Sequence, residues 1–221
     1  MKFFIIMCFL SHVSSVKVVT LNSTNHVSII DIIKQESVQK FIKDLNDVIN
    51  TNIYLYIKSP GGSVESGEEI IQYMKYKQHT NHTFTCIADK AMSMAFHIFQ
   101  NCNVRLVLST SVLMQHQMST TIVGNLENIK NYIRMLDKIN TYYVLFESTR
   151  LNITVDAYKR KVESDWWIYG FHNIIEKTAD SMLDGVGCSK TLINNNKKRD
   201  LLNNEDPLNT QNTLKVCPLL S

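Results

Sequence analysis

The 221-residue sequence has no Cys-x-x-Cys pair, and its five cysteines (Cys8, Cys86, Cys102, Cys188 and Cys217) show no regular spacing with histidine. Zinc sites and dithiol redox motifs are therefore unsupported, and no metal ligand set is expected. No basic block interleaves with aromatics, and the net charge of +3 is small and scattered, which argues against a nucleic-acid face. The apolar run Phe3 to Leu10 has eight residues, too few to span a bilayer. No arginine precedes Lys17, unlike a mitochondrial transit peptide. No internal repeat is visible.

What is present is a globular composition, 44% hydrophobic and 19% charged, enough at this length for one domain with a sizeable core plus appendages. Residues 1–15, with Lys2, the apolar run and Ser14-Ser15, have the outline of a secretory signal peptide and fit an apolar propeptide equally well. The compartment is thus left open. Sequons at Asn22, Asn81 and Asn152 would accept glycans in a eukaryotic lumen, although a chain this rich in asparagine produces several by chance. Beyond Cys8, four cysteines remain. Their number permits disulfides, but the apolar surroundings of Cys86 and Cys102 favour buried free thiols.

Hydrophobic periodicity predicts a short strand at Val27–Ile30 and a helix carrying Val38, Phe41, Ile42, Leu45 and Ile49. The alternating run Ile53 to Ile57 stops at Pro60-Gly61-Gly62 and reads as a strand ending in a turn. A helix over about Ser66–Lys77, a strand at Phe84–Ala88, a helix at Ala91–Phe99 and strands at Val104–Leu108 and Ser111–Gln115 follow. This alternation predicts an α/β fold with parallel strands and crossover helices. Leu126–Thr149 is the longest helical stretch, with a stripe of Leu126, Ile129, Ile133, Leu136 and Tyr143 that fits core packing or an oligomer contact. Shorter helices are expected at Val155–Lys161 and Asn173–Met182. The domain is predicted to occupy residues 16–187, and the Asn-rich residues 188–221 read as a disordered tail.

Four features carry chemistry. Glycines after a strand leave N–H groups unobstructed, so Gly62 is a candidate oxyanion donor, although a plain turn accounts for the same residues. Ser93 opens a helix, where it is either an N-cap or a nucleophile with the Met94 N–H as second donor. His116 ends an apolar strand, placed to emerge into a cleft as a general base. Asp165, before Trp166-Trp167, is either a helix cap or the group that orients the imidazole. His26, His79, His82, His97 and His172 lack such a setting and are expected to be structural or solvent-facing.

The ordered segments Tyr-Leu-Tyr-Ile-Lys-Ser-Pro-Gly-Gly-Ser-Val-Glu-Ser-Gly (54–67), Ala-Met-Ser-Met-Ala-Phe (91–96), Val-Leu-Met-Gln-His-Gln (112–117) and Glu-Ser-Asp-Trp-Trp (163–167) resemble the Clp protease proteolytic subunit family, over about residues 27–186. The resemblance implies a Clp/crotonase-like spiral of β-β-α units with a long handle helix at 126–149. It also implies a serine endopeptidase with the triad Ser93, His116 and Asp165, oxyanion donors Gly62 and Met94, and peptide-binding positions Gly61, Ser63 and Val64 that act by β-strand addition. Unfolded proteins or peptides would be hydrolysed inside a homo-oligomeric chamber of stacked heptameric rings. No cofactor is implied; ATP would enter only through a partner AAA+ unfoldase ring.

The chain departs from the family pattern in three places. Ala95-Phe96 follows Met94 without the usual glycine, Met118 replaces a proline, and Ile168 to His172 replace the usual helix start after the aspartate. These motivate a competing reading, a catalytically impaired ring subunit with a structural or binding role. A serine-lysine peptidase using Lys90 is a third.

Overall fold

The computed structural model describes residues 18–205 and 215–220, with side chains placed as far as residue 198 in the first stretch. The proposed signal or propeptide, residues 1–15, lies outside the described residues. In chain order the elements are β1 (Val18–Leu21), β2 (His26–Ile30), α1 (Gln35–Asn46), β3 (Asn52–Ser59), α2 (Val64–His79), β4 (Thr83–Met92), α3 (Met94–Gln100), β5 (Val104–Gln115), α4 (Leu126–Arg150), α5 (Val155–Lys161), β6 (Trp166–Tyr169), α6 (His172–Ile175), β7 (Ser181–Met182), β8 (Gly185–Cys188) and α7 (Lys190–Glu205), with a 3-10 turn at Pro218–Leu220.

The α/β alternation predicted from periodicity is the architecture found. Strands β2, β3, β4 and β5 lie side by side, each pair parallel, and α1, α2 and α3 make the crossovers that parallel strands require. Strand parity decides what each face meets. In β3, Ile53, Leu55 and Ile57 face the core shared with Val38, Phe41, Ile70, Ile71 and Phe96. Tyr56, on the opposite face, packs with Ile87, Leu106, Val19, Leu21, Leu183 and Leu192. The second face is therefore covered by the parallel β1–β8 ribbon and by α7.

Several boundaries differ from expectation. Val104 to Gln115 forms one strand, and the gap expected within it is a register shift, with Ala88 paired to Val107 but Lys90 to Val112. β6 was not anticipated; it runs antiparallel to the end of β5. The helix expected at Asn173–Met182 shrinks to α6, and the chain then turns into β7.

Residues 188–221, expected as a disordered tail, are helical over 190–205. Leu192 and Asn196 are buried, Asn196 exchanges hydrogen bonds with the Cys217 backbone, and Cys188 is disulfide-bonded to Cys217. Cys86 and Cys102, expected as free thiols, form a second disulfide.

α4 has 25 residues, about 37 Å of helix, and none of its residues before Val144 is buried. Of the predicted apolar stripe, only Tyr143 packs against this chain's own core, and Leu126, Ile129, Ile133 and Leu136 do not join it. Leu126 and Ile133 are exposed, as are Tyr132, Met135 and Tyr142 beside them.

Candidate active site

The chemistry-bearing segments meet at the C-terminal ends of the parallel strands: the Gly-Gly turn after β3, Ser93 after β4 and His116 after β5. Ser93 joins β4 to α3 with φ 53° and ψ −122°, a conformation that L-residues avoid and that resembles the strained strand-to-helix elbow of hydrolase nucleophiles. It occupies the N-cap position without a side-chain cap hydrogen bond. Its N–H donates instead to the Met114 carbonyl (2.9 Å), and its Oγ lies 2.9 Å from His116 Nε2.

The Gly-Gly turn presses against this elbow. A Cβ on Gly61, whose φ is +92°, would come within 2.6 Å of the Met92 carbonyl and 2.8 Å of Ser93 Cβ. Gly62, at φ +147°, would collide with the Ile33 carbonyl at 2.3 Å. Ile33 bonds the flanking residues, donating to the Gly61 carbonyl (2.8 Å) and accepting from the Ser63 N–H (2.9 Å). In a parallel ladder this directs the N–H of Gly62 to the other edge. Among the described residues, neither the Gly62 nor the Met94 N–H has a hydrogen-bond partner. Val64 borders the cavity, while Ser63 is spent on capping α2, accepting from the Ser66 N–H at 3.2 Å.

Asp165 is not brought into contact with His116. The β5–β6 register pairs Gln115 with Trp166, so one further step sets Asp165 opposite His116, yet its side chain is exposed and makes no hydrogen bond or ion pair among the described residues. Lys90 is also exposed and does not border the cavity.

Ser93 and His116 open onto a cavity of about 300 Å³ bordered by Met94, His97, Gln115, Tyr143, Tyr158 and others. Behind its wall lies Glu147, wholly buried. Glu147 accepts from His97 Nδ1 (2.6 Å), from Gln115 Nε2 (3.0 Å to each oxygen) and from the Tyr158 hydroxyl. Gln115 Oε1 in turn accepts from the His116 N–H (3.1 Å), which links this carboxylate to the base. Above it, Tyr143 stacks on His97 at 3.9 Å and donates to Glu68 (2.5 Å). Burial, reinforced by Glu147, pushes the Tyr158 phenol's pKa well above its ordinary value, and burial with Glu68 does the same to Tyr143. Both therefore remain donors at any working pH.

His97 was expected to be structural or solvent-facing; it is buried but forms part of the cavity wall. Sequence reasoning missed this cluster. The only signal was a glutamate falling on the buried side of α4, which periodicity alone treats as noise. Among the described residues, no group of three or more His, Cys, Asp or Glu side chains could hold a metal ion.

An α/β sheet that presents a strained serine, its hydroxyl on an imidazole and glycine amides beside it, at the carboxyl ends of parallel strands, belongs with the hydroxyl-nucleophile class of site. The sequence narrows this further: residues 12–173 match the Clp protease family, and the chain belongs to that family. It is 30% identical over 147 residues to the ATP-dependent Clp protease proteolytic subunit 3 of Streptomyces avermitilis, covering 62% of this chain and 65% of that protein. It is 27% identical over 145 residues to subunit 1 of Streptomyces coelicolor, covering 62% and 65%. To subunit 2 of Treponema pallidum it is 24% identical over 142 residues, covering 60% and 70%.

Proposed function

We propose that this chain is a serine endopeptidase that cleaves extended peptides and unfolded proteins. The observation that carries the reading is the 2.9 Å contact between Ser93 Oγ and His116 Nε2 at the mouth of the cavity. His116 takes the hydroxyl proton as Ser93 attacks the carbonyl carbon, then returns it to the leaving amine. The Gly62 and Met94 N–H groups stabilise the oxyanion, their freedom from other partners supporting this role. Asp165 turns inward to accept from His116 Nδ1 and fix the tautomer; the register that sets it opposite His116 supports that step. The unpaired edge at Gly62 holds substrate as an added strand, with Gly61 shaping the turn and Ser63 and Val64 flanking it.

A cavity of this size admits one extended segment, so substrates reach the site unfolded. The exposed apolar residues of α4 fit a contact between copies in a homo-oligomeric ring chamber. A ring ATPase would supply unfolded chain, as the ATP-dependent names of the relatives suggest. Wild type should cleave short fluorogenic peptides and an unfolded protein, with Ser93→Ala and His116→Ala inactive but equally assembled by sedimentation. Undiminished cleavage by Ser93→Ala rejects the assignment. The exposed side chain of Asp165 is the feature on which the competing reading, a silent ring subunit, would rest.

A further inference from the structure

The four cysteines of the described chain are all consumed in pairs, Cys86 with Cys102 and Cys188 with Cys217, across 16 and 29 residues of sequence. Both pairs are structural in placement. Cys86 and Cys102 are buried within the core beneath α3, and Cys217 is buried where the C-terminal segment docks on α7. Two disulfides, one buried and one half-buried at Cys188, that leave no described thiol over are a pattern of oxidising compartments and rare in reducing ones.

A second, independent feature points the same way. Two of the three sequons place their asparagines at exposed tight turns, Asn81 between α2 and β4 and Asn152 between α4 and α5, with left-handed φ of 63° and 54°. Both turns lie at the sheet end opposite the active site. Asn81 immediately precedes the Asn52–Thr83 pair that starts β3 and β4. Asn152 follows Arg150, whose guanidinium donates to the Cys102 and Asn103 carbonyls just before β5. Glycans there would leave the cavity open. Asn22 differs: it is half-buried, and its Oδ1 accepts from Thr24.

We propose that this chain matures in an oxidising, glycosylating compartment, where Cys86–Cys102 and Cys188–Cys217 close as structural disulfides and Asn81 and Asn152 carry N-linked glycans. Each closure is a thiol–disulfide exchange. The cysteine pair gives two electrons and two protons to the disulfide of a dithiol oxidoreductase, which leaves as two thiols. In each glycosylation, Asn Nδ2 displaces the pyrophosphate of a lipid-linked oligosaccharide at its anomeric carbon. The N–C bond forms, the C–O bond breaks with its electron pair on the pyrophosphate, and Nδ2 releases one proton. The Cys86–Cys102 loop contains Ser93, so oxidation also ties down the strand and helix that flank the elbow.

The test uses the full chain with its own N-terminus, produced in a eukaryotic cell line and quenched with a maleimide before and after reduction. Peptide mapping by mass spectrometry follows, with and without a peptide N-glycosidase. The proposal expects Cys86, Cys102, Cys188 and Cys217 to be unlabelled before reduction and labelled after it, and Asn81 and Asn152 to be converted to aspartate by the glycosidase. Four labelled cysteines without reduction, in protein that unfolds cooperatively, overturn it. Disulfide-bonded protein with both asparagines unmodified overturns the glycan assignment. A Ser93→Ala copy should give the same map, which separates this outcome from the fate of the peptidase reading.

Discussion

Glu147→Leu is the most informative single perturbation, because Glu147 sits at the centre of a group of buried polar contacts that reaches the base. The substitution keeps bulk but removes the acceptor for His97 Nδ1, Gln115 Nε2 and the Tyr158 hydroxyl. Each stranded buried donor costs about 1–3 kcal/mol. Gln115 and Tyr158 border the cavity and can turn toward water, so the loss falls toward the low end of the three-donor sum, about 3–5 kcal/mol. For a domain of this size that is about 6–20 °C in Tm. Removing two of the three donors together with the acceptor, as Glu147→Leu/His97→Leu/Tyr158→Phe, and leaving Gln115 to water should recover most of the loss, since apolar replacement of buried polar partners together is often neutral or stabilising. Activity should not recover with it, because Gln115 would no longer be held where its Oε1 accepts the His116 N–H. Urea and thermal unfolding read the first effect, and kcat against a peptide reads the second. A single-variant shift below about 2 °C, or a triple variant no more stable than the single, refutes the reasoning.

Three further outcomes follow from the same geometry. Ser93→Gly should be more stable than Ser93→Ala, because glycine relieves about 1–3 kcal/mol of strain at φ 53° and gives back about 0.5–1 kcal/mol in chain entropy; equal Tm values would count against a strained elbow. Replacing Cys86 and Cys102 together by alanine should lower stability by about 3 kcal/mol, the loop-closure value for their separation of 16 residues, as measured by urea unfolding against the non-reduced parent. Asp180 would be raised by burial, but its hydrogen bonds and charge contact with Arg105 outweigh this and lower its pKa. Its contribution is therefore present above the ordinary carboxylate range and lost as pH falls through the lowered folded value. The Tm gap between wild type and Asp180→Asn should narrow below about pH 4, and a gap that widens would reverse the sign.

Much of this was legible locally. Branched and aromatic runs such as Ile53 to Ile57 announce strands, and the glycines after them announce the turn, because strand parity and turn chemistry act between neighbouring residues. The ordered motifs around Ser93 and His116 pointed to two side chains that do meet in space. What escaped depends on contacts remote in sequence. α7 reads as a polar tail because only Leu192 and Asn196 are buried among its described side chains, and its place is set by β1 and by the bond from Cys188 to Cys217. Glu147 looks like an error in an apolar stripe until His97, Gln115 and Tyr158 are brought round it from three other elements. The exposed apolar residues of α4 also defeat a single-chain reading, since amphipathicity cannot say whose surface they meet.

The central claim is that Ser93 is an activated nucleophile. Exposure of the full, folded protein to a fluorophosphonate, followed by intact and peptide mass spectrometry beside Ser93→Ala and His116→Ala, tests it most directly. The account predicts one adduct, on Ser93, absent from Ser93→Ala and strongly slowed in His116→Ala. Folded, assembled protein that takes no adduct, or takes it on another serine, would contradict it.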